Sequence, residues 1–369
     1  MVAPKTAQAL QALIDQFLAD HPEAPSVSLL VETPDFLWKG ASGLSDPDDH
    51  TPMHPNDPFY IASVAKPMTS TVALRLVEER LLDLDAVLPA YLPPDLLDGL
   101  HRFAGQSYDA RITIRHLLQH TSGLPDSFGS PGFMDLIAAS PDRVWTPEES
   151  VDFIKEHCEP LFPPGEGFNY SDVNYNLVGL AIEAITRDSL DAAYRRFIYE
   201  PVGMQSTYRR FVEAPQLRES VREAHVFYGD VDFTQWRALT ADWAGGGLNS
   251  TLDDLNRFIR ALVQDRIFRN RSTREAMFRW RPWSDDASYG LGIMRLELER
   301  DPNSPQNATS EIWGHIGASG CFMFYWPAAD ASFCGTFNQT ACERHIFPFA
   351  VQLMRLIEVA NRKNPPSTS

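Results

Sequence analysis

From residue 5 to residue 20, apolar positions recur at helical spacing. Leu10, Leu13, Ile14, Phe17 and Leu18 share one face, which predicts an amphipathic helix. The period then drops to two. Ser26–Glu32 and Asp35–Lys39 read as strands joined by a turn around Pro34, and the Asp-, Pro- and Gly-rich stretch 41–58 reads as loop. The helical period returns from Ser63 to about Arg80, with Met68, Val72, Leu76 and Val77 on one side. Pro67 falls in the first turn, where proline costs little. Residues 83–270 read as helices and loops, with clear helices over 174–186 and 251–263. Near the end, Tyr289–Leu298, Gly320–Trp326 and Ala331–Phe337 read as strands and Ile346–Ala360 as a helix.

Strands at both ends with a helical section between them predict an α/β (α+β) fold whose sheet draws on both termini. The expected division is a discontinuous sheet domain, 1–60 and 271–361, and a mainly helical domain, 61–270, inserted into it. The polar tail 362–369 is expected to be disordered.

Composition narrows the picture. The 369 residues are 44% hydrophobic, enough for a large core. A net charge of −17 argues against nucleic acid or an anionic membrane surface as partner. No run reaches the length of a transmembrane helix. The N-terminus lacks the continuous apolar core of a secretory signal, so a cytoplasmic location is expected. The sequons at Asn307 and Asn338 then carry no glycan meaning. The four cysteines form no C-x-x-C pair. Cys321 and Cys334, in apolar runs, read as small hydrophobes. His116 and His120 are four apart but have no third ligand at suitable spacing, so no metal or cofactor is expected. Gly245-Gly246-Gly247 lacks a following G-K-[ST] and reads as a close-packed turn, not a phosphate cradle.

The chemistry concentrates in three short motifs. Ser63-Val64-Ala65-Lys66 places a hydroxyl and an amine on one helical face, within reach of each other. A serine hydroxyl becomes a useful nucleophile only when a base takes its proton. Tyr170-Ser171-Asp172 follows a turn-rich segment and precedes a helix; His315-Ile316-Gly317 stands at the start of an expected strand. Each has a plainer reading. Ser63 could cap a helix beside a surface lysine, Asp172 could be a helix N-cap, and His315 could fill space at a strand end.

In this order, the three motifs resemble those of the class C β-lactamase-related serine hydrolases. That superfamily includes penicillin-binding carboxypeptidases, D-aminopeptidases and β-lactamase-fold esterases. The frames Leu117–Pro125, Pro164–Ser171 and Ala244–Thr251 are similar too, and the resemblance covers roughly residues 5–360. It implies a β-lactamase/transpeptidase-like fold: an antiparallel sheet flanked by N- and C-terminal helices, an inserted all-helical domain and an active site between them. It implies an acyl-Ser63 intermediate, with Lys66 and Tyr170 sharing the proton transfers. Ser63 and Ala318 would supply oxyanion N–H groups, and Asp172, His315, Gly317 and Ala318 would bind substrate. Two positions depart from the family pattern: Asp172 where an amide is common, and His315 where lysine is common. A histidine is largely neutral at pH 7 and offers little to a substrate carboxylate. The expected substrates are therefore small esters or amides of neutral acyl groups, with weak β-lactamase activity. A D-aminopeptidase or D-Ala carboxypeptidase is the alternative enzyme, and a non-catalytic penicillin-recognising sensor or scaffold the non-enzymatic one. Oligomeric state is left open.

Overall fold

The computed structural model describes residues 2–130, 132–213, 222–299 and 309–363. The sequon asparagine 307 and positions 364–369 lie outside the described residues. Nine strands form one sheet among the described residues: β1 (Ser26–Glu32), β2 (Leu37–Asp46), β3 (Thr51–Pro52), β4 (Arg281–Pro282), β5 (Ala287–Tyr289), β6 (Met294–Glu299), β7 (Thr309–Gly317), β8 (Cys321–Trp326) and β9 (Ala331–Thr336). Their order is β4-β5-β6-β7-β8-β9-β1-β2-β3, antiparallel throughout. The two chain ends meet where β1 pairs β9, with Leu30 opposite Cys334.

Both faces of this sheet are covered. Helices α1 (Pro4–Asp20) and α2 (Ile346–Lys363) pack on one face, where Leu10, Ile14 and Phe17 meet Val27, Leu29, Phe322, Phe333, Phe349 and Leu353. On the other face Leu30, Cys321, Met323 and Cys334 join a core with Val64, Met68 and Leu252. Burial from both sides explains why every residue of β1 but Glu32 is buried, and why Leu29, Leu30 and Val31 are apolar in succession. All four cysteines are free.

The expected loop at 41–58 is wrong at its start, because β2 continues to Asp46. Gly40, Ala41, Ser42 and Gly43 are poor strand formers, but their ladder with β1, from Ser26 opposite Gly43 to Leu29 opposite Gly40, overrides propensity. The expected strand 289–298 is two strands, broken at Gly292 with φ 78°. His315 sits near the end of β7, not at its start. The middle of the chain is not all helix. Phe59–Tyr60, Leu248–Ser250 and Tyr208–Arg209 form a small antiparallel sheet. Strands of two or three residues are too short to show a period.

Candidate active site

Ser63 lies in a tight 3-10 turn, Ala62–Ala65, that leads into the helix Lys66–Glu78. Ala62, just before it, holds φ at 45°, in the left-handed region. The end of β7 packs directly on this turn. A Cβ on Gly317 would lie 2.3 Å from the Ile61 carbonyl oxygen, so only glycine fits. The next turn is tied down as well: Ser319 Oγ donates to the Tyr60 carbonyl at 2.7 Å. The exposed Ala318 is thereby held between two anchors beside the Ser63 turn. Gly317→Ala is expected to push β7 away from Ile61 and to lower kcat/KM by more than about tenfold, since small misplacements at a reacting centre are costly. An unchanged rate with unchanged KM would show that this contact does not position the site.

Lys66 is fully buried and reaches three acceptors: Ser63 Oγ at 2.9 Å, the Gly245 carbonyl at 2.9 Å, and Asp172 Oδ1. An ammonium has three N–H donors, and all three are used. Burial works against the charge, but Asp172, Tyr170 and Asp242 outweigh it and hold the amine well above its ordinary pKa. Asp172 is the first residue of the helix Asp172–Thr186, with Ser171 in the capping position. Its side chain pairs with Lys66, so the cap-only reading fails. Tyr170 arrives just before that helix. Its ring stacks on His120 with centroids 4.3 Å apart, and Lys66 Nζ lies 4.9 Å from its own ring centre. Burial pushes the phenol well above its ordinary pKa, opposed by the Lys66 charge and the nearby Ser63 hydroxyl.

His315 was expected on the substrate edge. The structure buries it completely. Its Nε2 shares a 2.9 Å hydrogen bond with the Tyr289 hydroxyl, and its Nδ1 lies 2.6 Å from the Ile316 carbonyl. Tyr289 in turn lies 3.3 Å from His120 Nε2, while His120 Nδ1 accepts from the Ser171 backbone at 3.1 Å. Burial, then the nearby Lys66 charge, holds His315 down to about 3 and His120 well below its usual value. The sign for stability follows. Below about pH 6.5 the unfolded chain binds these protons and the folded chain does not. Stability is therefore full above that pH and falls on acidification towards about 3, by roughly 1.4 kcal/mol per pH unit for each histidine. Thermal melts at pH 7 and pH 5 measure this, and His315→Gln should flatten the loss.

The residues that sequence reasoning missed are two more carboxyls. Asp126 Oδ1 accepts from the Asp172 backbone N–H at 3.0 Å. Asp242 is buried and accepts from the Tyr60 hydroxyl at 3.4 Å. The signal was close by: Asp126 directly follows the frame that ends at Pro125, and Asp242 lies two residues before the frame that begins at Ala244. Gly245-Gly246-Gly247 is indeed a close-packed turn, since a Cβ on Gly245 would lie 2.5 Å from Asp242 Oδ1 and one on Gly246 1.8 Å from Asp242 Oδ2. Trp243, beside that glycine turn, lines a cavity of about 210 Å³ together with Tyr60, Trp145, Phe211 and Leu239. His116 joins no group of metal-ligating side chains among the described residues; His21, Glu23 and His345 do cluster, and none belongs to this site. No helix among the described residues is long and apolar enough to cross a membrane.

Known proteins resemble this chain in sequence and fold. The esterase EstB of Burkholderia gladioli is 32% identical over 357 residues, covering 87% of this chain and 88% of EstB. Penicillin-binding protein 4* of Bacillus subtilis is 28% identical over 73% of this chain; the match spans only 58% of that longer protein. Among solved structures, a D-stereospecific amidohydrolase from Streptomyces sp. superposes with a TM-score of 0.75 at 26% identity, covering 90% of this chain and 94% of that one. The D-amino acid amidase of Ochrobactrum anthropi SV3 reaches a TM-score of 0.79 at 24% identity over 96% and 99% of the two chains, a likeness of fold. The beta-lactamase family profile matches residues 10–345, so with the sheet, the three motifs and their convergence at Ser63, the chain belongs to the beta-lactamase family.

Proposed function

We propose that this chain is a serine hydrolase that cleaves esters or amides through an acyl-Ser63 intermediate. The observation that carries the reading is the 2.9 Å contact between Ser63 Oγ and a lysine whose three donors are all engaged. Such a lysine holds no lone pair, so it steadies charge and does not take the first proton. Ser63 Oγ attacks the acyl carbon as its proton passes to the Tyr170 oxygen and the phenol gives its own proton to the leaving-group oxygen or nitrogen, with the Lys66 ammonium steadying negative charge on the phenol oxygen during the relay. That relay protonates the leaving alcohol or amine and leaves Tyr170 a phenol again. Water attacks the acyl-enzyme by the reverse route and releases the acid. The N–H groups of Ser63 and Ala318 serve as oxyanion donors, each worth about 3–4 kcal/mol in comparable sites. Asp172 fixes the charge of Lys66, and Gly317 admits the close approach of β7.

The charge of the cleft supports neutral acyl substrates. Among the described residues no arginine or second lysine bonds to Ser63, Tyr170 or Asp172, and His315 is uncharged. Arg209 and Arg210 of the neighbouring cavity are already paired with Asp191 and Glu223, so among the described residues these groups offer a substrate carboxylate no unpaired cation. The carboxyls of Asp126 and Asp172 support a second reading, in which the substrate bears an amine beside the scissile carbonyl, as a D-aminoacyl amide does. The membership of EstB in the set of relatives favours the ester reading. A panel of p-nitrophenyl esters, D- and L-aminoacyl p-nitroanilides and nitrocefin separates these. Esters are expected to turn over fastest. Nitrocefin turnover rivalling that of the esters would overturn the neutral-substrate reading.

A further inference from the structure

Asp242 has no role in the chemistry above, yet it is buried against the groups that carry it. A Cβ placed on Gly245 would lie 2.5 Å from Asp242 Oδ1, 3.2 Å from Asp172 Oδ1 and 3.4 Å from Lys66 Nζ, so these three atoms surround one small volume. On Gly246 a Cβ would overlap Asp242 Oδ2 outright, at 1.8 Å. The glycine turn thus exists partly to admit this carboxyl. Oδ2 accepts from Tyr60, while Oδ1 is buried with no hydrogen-bond partner. An ionised carboxylate would leave a charged oxygen without a donor beside the Asp172 carboxylate, which is a costly arrangement.

We propose that Asp242 is a positioning residue of the acyl-transfer site: a carboxylic acid, protonated in the working enzyme, that lets Asp172 remain the one anion paired with Lys66. The inference rests on the serine-hydrolase reading. Facing Asp242 are Tyr60, Lys66, Asp126, Asp172 and the Tyr194 phenol, with Arg210 stacked over the Tyr60 ring at 4.6 Å and Arg209 over the Trp243 ring at 5.1 Å. Burial and the Asp172 charge raise its pKa to about 8, against the pull of Lys66 and the Tyr60 hydrogen bond. Losing that proton places a second negative charge beneath Lys66. The ammonium is then shared between two anions, and negative charge on Tyr170 and on the oxyanion becomes harder to develop. Asp126, raised to about 7 by burial and by Asp172, adds a related effect from the rim of the site.

The experiment is a pH profile of kcat/KM on a p-nitrophenyl ester, paired with the rate at which a fluorophosphonate labels Ser63. Wild type should show a fall at alkaline pH. Asp242→Asn copies the protonated acid in shape and cannot ionise; its alkaline fall should move up by at least one pH unit, with less than a tenfold loss at pH 6. Tyr60→Phe removes a donor that favours the carboxylate, so it should also move the fall upward, and it serves if Asp242→Asn does not fold. Asp126→Asn identifies the part due to the rim carboxyl. An alkaline fall left in place by both Asp242→Asn and Tyr60→Phe overturns the proposal. So does a folded Asp242→Asn that is inactive at every pH, because the working form would then be the carboxylate. Activity and labelling that survive Ser63→Ala would instead overturn the serine-hydrolase reading, so the two failures are distinct.

Discussion

Ser63→Ala is expected to lower kcat/KM on every accepted ester by about 10³-fold or more while the protein melts as wild type. Replacing the nucleophile of a serine hydrolase commonly leaves only what binding and the oxyanion donors supply. Among the described residues there is no substitute. The Ser63 hydroxyl is the one that Lys66 Nζ contacts, at 2.9 Å. Ser70, one helical turn further on, hydrogen-bonds Tyr175 at 3.3 Å and is buried. Folding should not suffer, because Ser63 is only half-buried and caps no helix in this fold. Intact-mass measurement gives the check: the fluorophosphonate adds one label to wild type and none to the variant. Wild-type turnover by the variant on its ester substrates would end the acyl-serine mechanism.

Asp172→Ala should cost both stability and activity. Lys66 is fully buried and the Asp172 side chain nearly so, at 0% and 11% exposure. Removing one partner of a buried ion pair leaves an uncompensated charge and commonly costs about 3–5 kcal/mol. The loss here should fall near the lower end of that range. Asp242, and Asp126 at the rim, can each give up a proton and stand in as counter-ion, since the Asp172 charge that raises both would be gone. The stand-ins do not restore the geometry, so kcat should fall at least about 100-fold. Urea melts at pH 7 measure the first effect. A paired Lys66→Met, Asp172→Leu variant isolates it: with both charges removed, stability should return towards wild type while activity stays absent. If Asp172→Ala melts as wild type, the pair is not the anchor described here.

Much of the fold was legible because it is written in short periods. The helix over residues 4–20 and the strand Ser26–Glu32 each carry their burial pattern in consecutive residues. So does the C-terminal helix, which begins at Ile346 as expected and runs on to Lys363. The misreadings have local causes as well. The glycines of β2 hide a strand that only its pairing with β1 stabilises, and the short strands around Leu248–Ser250 are below the length at which a period can be seen.

The site divides in the same way. By itself the sequence picked out the proposed reacting set, because Ser63 and Lys66 are three apart and meet within one helical turn, and because Tyr170 and Asp172 come as one short motif. Only the tertiary structure decided what state those groups are in. Lys66 is an ammonium because it meets Asp172 and the Gly245 carbonyl, 106 and 179 residues away. His315 turned out to be an inward, neutral partner of Tyr289 and not a substrate-facing group, because β5 and β7 are brought together through β6 and enclose it. Asp126 and Asp242 entered the site for the same reason. Charge and protonation depend on burial and on neighbours in space, and no local spacing along the chain encodes either.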